Sequence, residues 1–138
     1  MKKIVMIEDN EDHALLIRRA VQNRECTVTH YLDGVEALKV FGSVSRLEET
    51  PNLILLDLKL PGVDGFGVLE GLRKMECFQD VPVVMLTTSA RKEEIEQAYR
   101  LGANGYVVKS DDFNELVTKL KQVKDYWLHT VELPGREK

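Results

Sequence analysis

The chain has little of what a disulfide scaffold, a membrane span or a nucleic-acid binder needs. Its 138 residues include only two cysteines, Cys26 and Cys77, far apart and outside any CxxC or Cys/His ligand spacing. Cysteines so placed are expected to stay reduced and to pack as small apolar residues. The three histidines, His13, His30 and His129, are equally scattered, and no pair has the spacing of a metal site or a catalytic dyad. They are expected to be incidental. No apolar run approaches the roughly 20 residues of a membrane helix, and after Met1-Lys2-Lys3 only four apolar residues precede Glu8, too few for a signal-peptide core. A cytoplasmic protein with no membrane partner is the expectation. With 23 acidic against 19 basic side chains the net charge is −4, and no basic cluster is dense enough for direct nucleic-acid binding. There is no GxxxxGK[ST], and Gly62, Gly65 and Gly67 do not match GxGxxG, so a nucleotide-binding loop is not expected.

What is present is a regular alternation of apolar runs and helical patterns. Strands are expected at 3–7, 27–31, 53–57, 82–87 and 105–108, and helices near 11–23, 34–42, 65–75, 91–101 and 112–128. Continuously apolar strands belong in sheets covered on both faces, so the class is α/β with a doubly wound parallel sheet. Asp33-Gly34, Pro61-Gly62 and Gly102-Ala103-Asn104-Gly105 carry turn chemistry, and Ser110-Asp111-Asp112 supplies N-cap side chains for the last helix. That helix shows Leu116, Leu120, Val123 and Trp127 on one face and is expected to end before Pro134-Gly135. The polar stretch from Gly42 to Pro51 reads as a surface loop. The length suits one core, hence one domain over 1–125 and a C-terminal extension over 126–138.

Four strand ends carry chemistry. Ile4-Val5-Met6-Ile7 runs into Glu8-Asp9, Leu53-Ile54-Leu55-Leu56 into Asp57, Val83-Val84-Met85-Leu86 into Thr87, and Tyr106-Val107-Val108 into Lys109. In a parallel sheet these ends meet at the carboxyl edge, where such folds bind ligands. Three carboxylates would repel one another unless a hard cation joins them, and oxygen-only donors favour Mg2+. Asp57, opposite Lys109, is then placed to attack a phosphorus atom and form an aspartyl phosphate. Any one of these acids taken alone reads as a residue that merely ends a strand.

The motifs Ile7-Glu8-Asp9-Asn10, Leu55-Leu56-Asp57-Leu58-Lys59-Leu60-Pro61-Gly62-Val63-Asp64-Gly65, Leu86-Thr87-Thr88-Ser89 and Gly105-Tyr106-Val107-Val108-Lys109 together resemble the response-regulator receiver domain of two-component signalling, over residues 2 to about 125. The resemblance implies a flavodoxin-like five-stranded sheet of order 2-1-3-4-5. It implies Asp57 as phosphoacceptor, Asp9 as a direct Mg2+ ligand, Glu8 as a water-mediated one, and the backbone carbonyl of Lys59 as another. Thr87 would hydrogen-bond the phosphoryl oxygens, Lys109 would pair with them, and Tyr106 would change rotamer on activation. The implied partner is a sensor histidine kinase, and catalysis would be confined to the protein's own modification. No output domain follows the last helix in the sequence, so the signal is expected to leave by protein contact, for example to a downstream phosphotransfer protein.

Two positions depart from the family pattern. Ser110 follows Lys109 where receivers usually have a cis proline, and a cis non-proline bond costs ~3 kcal/mol, so the loop is expected to take another course. Thr88 stands where a small residue is usual, and its bulk is expected to restrict water at the phosphoryl group. Lys59 and Ser89 flank the site where side chains could tune that access. The apolar block Ala14-Leu15-Leu16-Ile17 is wider than one inward stripe requires, so part of it is a candidate for docking a kinase helical bundle.

Leu86-Thr87-Thr88-Ser89, Lys109-Ser110 and Asp125-Tyr126-Trp127-Leu128-His129-Thr130-Val131-Glu132-Leu133-Pro134 resemble the single-domain response regulators associated with bacterial and cyanobacterial phytochromes. That narrower resemblance implies a homodimer formed through the last helix and an arm carrying Trp127, Leu128, Val131 and Leu133. Two rivals remain. A haloacid-dehalogenase-type phosphatase would need an aspartate at position 59, which is lysine. A phosphorylation-independent interaction module would keep the fold without using Asp57.

Overall fold

The computed structural model describes residues 1–134. Ten elements alternate along the chain: β1 (Lys2–Ile7), α1 (Glu11–Val21), β2 (Cys26–Tyr31), α2 (Gly34–Gly42), β3 (Leu53–Leu56), α3 (Gly65–Lys74), β4 (Val83–Thr87), α4 (Lys92–Arg100), β5 (Gly105–Val108) and α5 (Phe113–Asp125). The strands form one sheet in the order β2-β1-β3-β4-β5, and every pairing is parallel. This is the expected doubly wound, flavodoxin-like sheet.

Period-two alternation within the strands divides the core between the two faces. Ile4, Met6, Leu53, Leu55, Val84 and Leu86 face α1 and α5, meeting Ile17, Leu116 and Leu120. Val5, Ile7, Ile54, Leu56, Val83 and Met85 face the other way, against Phe41, Val68, Leu72 and Phe78. Because both faces of the sheet are covered, β3 and β4 as far as Leu86 read as unbroken apolar runs.

Side-chain caps start four of the helices. Asn10, Asp33, Asp64 and Asp112 each accept from the backbone N–H three residues on, at 2.7–3.1 Å. The stretch from Gly42 to Pro51 contains a short 3-10 turn, Leu47–Glu49, within the expected loop. Beyond α5 the chain continues as a π-helical turn over Tyr126–Thr130, and residues 135–138 of the expected extension lie outside the described residues.

Among the described residues no helix is long and apolar enough to cross a membrane. None of their peptide bonds is cis, so the Lys109–Ser110 bond is trans.

Candidate functional site

The parallel registers bring the chemistry-bearing strand ends together. Ile7 lies beside Leu56, Leu56 beside Met85 and Thr87 beside Val108, so the residues that follow β1, β3 and β5 emerge next to the end of β4. Glu8, Asp57 and Thr87 are almost fully buried there, whereas Asp9 is exposed at the rim.

Lys109 is the hub. Its ammonium donates to Glu8 Oε1 at 2.5 Å, to His13 Nδ1 at 2.9 Å and to Asp57 Oδ2 at 3.2 Å, and only 5% of the side chain is exposed. The remaining carboxylate oxygens meet backbone donors: Asn10 N–H reaches Glu8 Oε2 at 3.1 Å, and Lys59 N–H reaches Asp57 Oδ1 at 3.3 Å. Among the described residues, no fully buried side-chain nitrogen or oxygen lacks a hydrogen-bond partner.

The electrostatics are unbalanced despite this pairing. Burial, reinforced by the neighbouring Asp57 charge and only partly opposed by Lys109, pushes the Glu8 carboxyl up to about 7. One ammonium does not neutralise the acids collected around it. Carboxylate oxygens of Glu8, Asp9 and Asp57 lie within 4.8 Å of one another. An all-oxygen set of this spacing, short of positive charge, fits a hard divalent cation.

Two side chains expected to be incidental belong to this site. His13, in the first turn of α1, accepts from Lys109; burial, followed by the Lys109 charge, lowers its pKa and favours the neutral ring that can accept. His30 Nε2 donates to the backbone carbonyl of Glu8 at 2.7 Å. The available signal for His13 was the Asn10 cap. It places residue 13 in the first turn of a helix that starts at the sheet edge.

The other expected site residues fall around this centre. Thr87 Oγ1 accepts from Ser89 N–H at 3.5 Å, and Thr88 is exposed on the following loop. Tyr106 is half-buried, and its hydroxyl donates to the Ser89 carbonyl at 3.0 Å. Its ring packs on the α2–α4 side of the core. Of the apolar block in α1, Ala14 and Ile17 are core, Leu16 is half-buried and Leu15 is exposed.

The candidate arm residues differ in burial. Leu128 is 6% exposed and completes the core between the sheet and α5, which removes it from any outward-facing arm. Trp127 packs half-buried against the same cluster with Tyr126 set edge-on to it at 5.1 Å. Val131 and Leu133 are half-buried.

Residues 4–121 match the response regulator receiver domain family, and the chain belongs to it. It is 33% identical to the response regulator Rcp1 of Synechocystis, covering 97% of this chain and 94% of that one. It is 37% identical to the probable methanogenesis regulatory protein FilR2 of Methanothrix harundinacea, over 96% of this chain and 87% of the other. Among solved structures it resembles the phosphorylated cyanobacterial phytochrome response regulator RcpA, with a TM-score of 0.88, 35% identity and coverage of 97% and 99% of the two chains. It also resembles the Mn2+-bound form of Rcp1, at a TM-score of 0.86, 31% identity and 98% and 100% coverage.

Proposed function

We propose that this response regulator accepts a phosphoryl group on Asp57 from the phosphohistidine of a sensor histidine kinase, and signals by conformational change and protein contact. The observation that carries the reading is the buried Lys109 ammonium held against both Glu8 and Asp57 at the carboxyl edge of the sheet. An Asp57 oxygen attacks phosphorus in line, the P–N bond breaks, and its electron pair leaves with the kinase imidazole. Lys109 pairs with the phosphoryl oxygens, and the Thr87 hydroxyl donates to them. A Mg2+ ion held by Glu8, Asp9, Asp57 and the Lys59 carbonyl would neutralise charge on the phosphoryl oxygens. The protein is no enzyme in the usual sense, since its chemistry is confined to its own phosphorylation and dephosphorylation.

The kinase is of phytochrome type, by analogy with RcpA. The similarity to FilR2 shows that relatives with another regulatory role lie equally near. A cytoplasmic site of action follows from the kinase. We take the receiver domain as residues 1–125 and the remainder as a C-terminal extension. Homodimerisation uses Tyr126 and Trp127 with Val131 and Leu133, while Leu128 supports this surface from inside.

Intact-mass analysis after incubation with a small phosphodonor tests the reading. Gain of one phosphoryl group is expected only with Mg2+ present and is lost in Asp57→Asn. A folded, Mg2+-binding protein that gains no phosphoryl group and also fails to bind a beryllofluoride mimic would favour a phosphorylation-independent interaction module.

A further inference from the structure

Lys59 and Ser89 flank the site on different loops, and one side chain that neither motif contains ties them together. Glu94, in the first turn of α4, accepts from Lys59 Nζ through Oε2 at 2.9 Å and from the Ser89 hydroxyl through Oε1. Its side chain is 16% exposed. The Ser89 hydrogen bond first, and the Lys59 ammonium second, hold its carboxyl below the usual carboxylate range.

Each bridged residue is one hydrogen bond from the reacting groups. Lys59 N–H contacts Asp57 Oδ1 at 3.3 Å, and Ser89 N–H contacts Thr87 Oγ1 at 3.5 Å. The Ser89 carbonyl also receives the Tyr106 hydroxyl. The N-cap residue of α4, Arg91, makes no side-chain cap bond, and only Ala98 of this helix is fully buried. The Glu94 carboxylate therefore helps fasten the helix start, together with the Ser89 hydroxyl oxygen, which accepts from Arg91 N–H at 3.3 Å.

We propose that Glu94 is a positioning residue that braces Lys59 and Ser89 across the entrance of the site and so prolongs the life of a phosphoryl group on Asp57. The proposal rests on Asp57 being the phosphoacceptor. In hydrolysis a water attacks phosphorus opposite the Asp57 oxygen. The P–O bond to the carboxylate breaks, its electron pair returns to Asp57, and both water protons leave with the phosphate as dihydrogen phosphate. Lys109, Glu8 and His13 occupy the interior of the site on the β1 and β5 side, and Lys59 and Ser89 stand on the loops that follow β3 and β4. A carboxylate spanning those loops holds both side chains beside Asp57 and Thr87, where they restrict the approach of water.

The full chain is phosphorylated with acetyl phosphate and Mg2+, freed of donor, and followed by intact mass as the phosphoryl group is lost. Glu94→Ala is expected to lose it about threefold to fivefold faster, the range of one partly exposed ion pair expressed in a barrier. Lys59→Ala gives a similar increase, and the double variant is no faster than the faster single one. Glu94→Gln, which keeps length and helix propensity, moves in the same direction should the alanine variant fold poorly. A native rate in both Glu94 variants overturns the proposal. So do effects that multiply in the double variant, because two residues acting independently do not form a brace. Failure of the native chain to take phosphate at all overturns the phosphoacceptor reading itself and this proposal with it.

Discussion

The corner from β3 to α3 and the corner from β4 to α4 both deliver a residue to the site, yet they are held by different kinds of force. At the first, Gly65 N–H donates to the Leu58 carbonyl at 2.9 Å and Asp64 caps α3, whose Val68, Leu69 and Leu72 are buried. The helix start is pressed so closely on the strand end that a Cβ on Gly65 would lie 2.5 Å from the Asp57 carbonyl oxygen. At the second, α4 buries Ala98 alone, and its start is tied by side-chain contacts among Glu94, Ser89 and Lys59. Apolar burial and close backbone packing resist rearrangement, whereas exchangeable polar contacts open at small cost. Asp57 thus stands on the rigid corner. Thr87 and Tyr106 adjoin the adaptable one, where a conformational shift has least to disrupt.

Truncating the rigid corner should hurt most. Leu72→Ala removes a fully buried side chain and is expected to cost ~2–5 kcal/mol, read as a lowered urea midpoint with the slope unchanged. A loss below 1 kcal/mol would mean that α3 can collapse into the cavity and is no firmer than α4.

The charge beside that corner gives a pH test. Glu8 has its folded pKa raised from 4.5 to about 7, so the folded state holds a proton that the unfolded chain has released. Metal-free stability should therefore fall as pH rises from about 4.5 to about 7 and level off above, by no more than ~3 kcal/mol. Mg2+ should erase the decline, because the cation replaces the proton as countercharge. Urea titrations across this range with and without Mg2+ measure it; a metal-free slope of the opposite sign would show that Lys109 alone satisfies Glu8.

Gly65→Ala probes the close approach directly. The added methyl must displace the Asp57–Leu58 backbone, with an expected cost of ~1–3 kcal/mol and weakened Mg2+ binding, measurable by calorimetry. Glu94→Ala should change global stability by less than ~1 kcal/mol, while amide exchange accelerates in α4 and not in α3. Equal acceleration in both helices would erase the contrast between the corners.

Much of this was legible in the residues. Strand existence, class and the convergence of Glu8, Asp57, Thr87 and Lys109 followed from apolar runs ending in polar residues, since a parallel sheet has one carboxyl edge. Boundaries moved by two residues or fewer from Lys2 to Arg100, because caps such as Asp33 and Asp64 act locally. The last helix departed more, passing into a π-helical turn at Tyr126. Glu94, the partner of His13 and the inward turn of Leu128 were not legible. Each is defined by a neighbour distant in the chain: Lys109 for His13, Lys59 for Glu94, and the β1–β3–α1 core for Leu128.

By itself the sequence determined the α/β class and the inventory of charged and hydroxyl groups at the sheet edge, because hydrophobic periodicity and turn chemistry are local properties, and its motifs carried the resemblance to the family. Only the tertiary structure decided how those groups share one ammonium, which corner is rigid, and which helix is held by polar contacts. These depend on distances between elements, and such distances arise only when both faces of the sheet are packed at once.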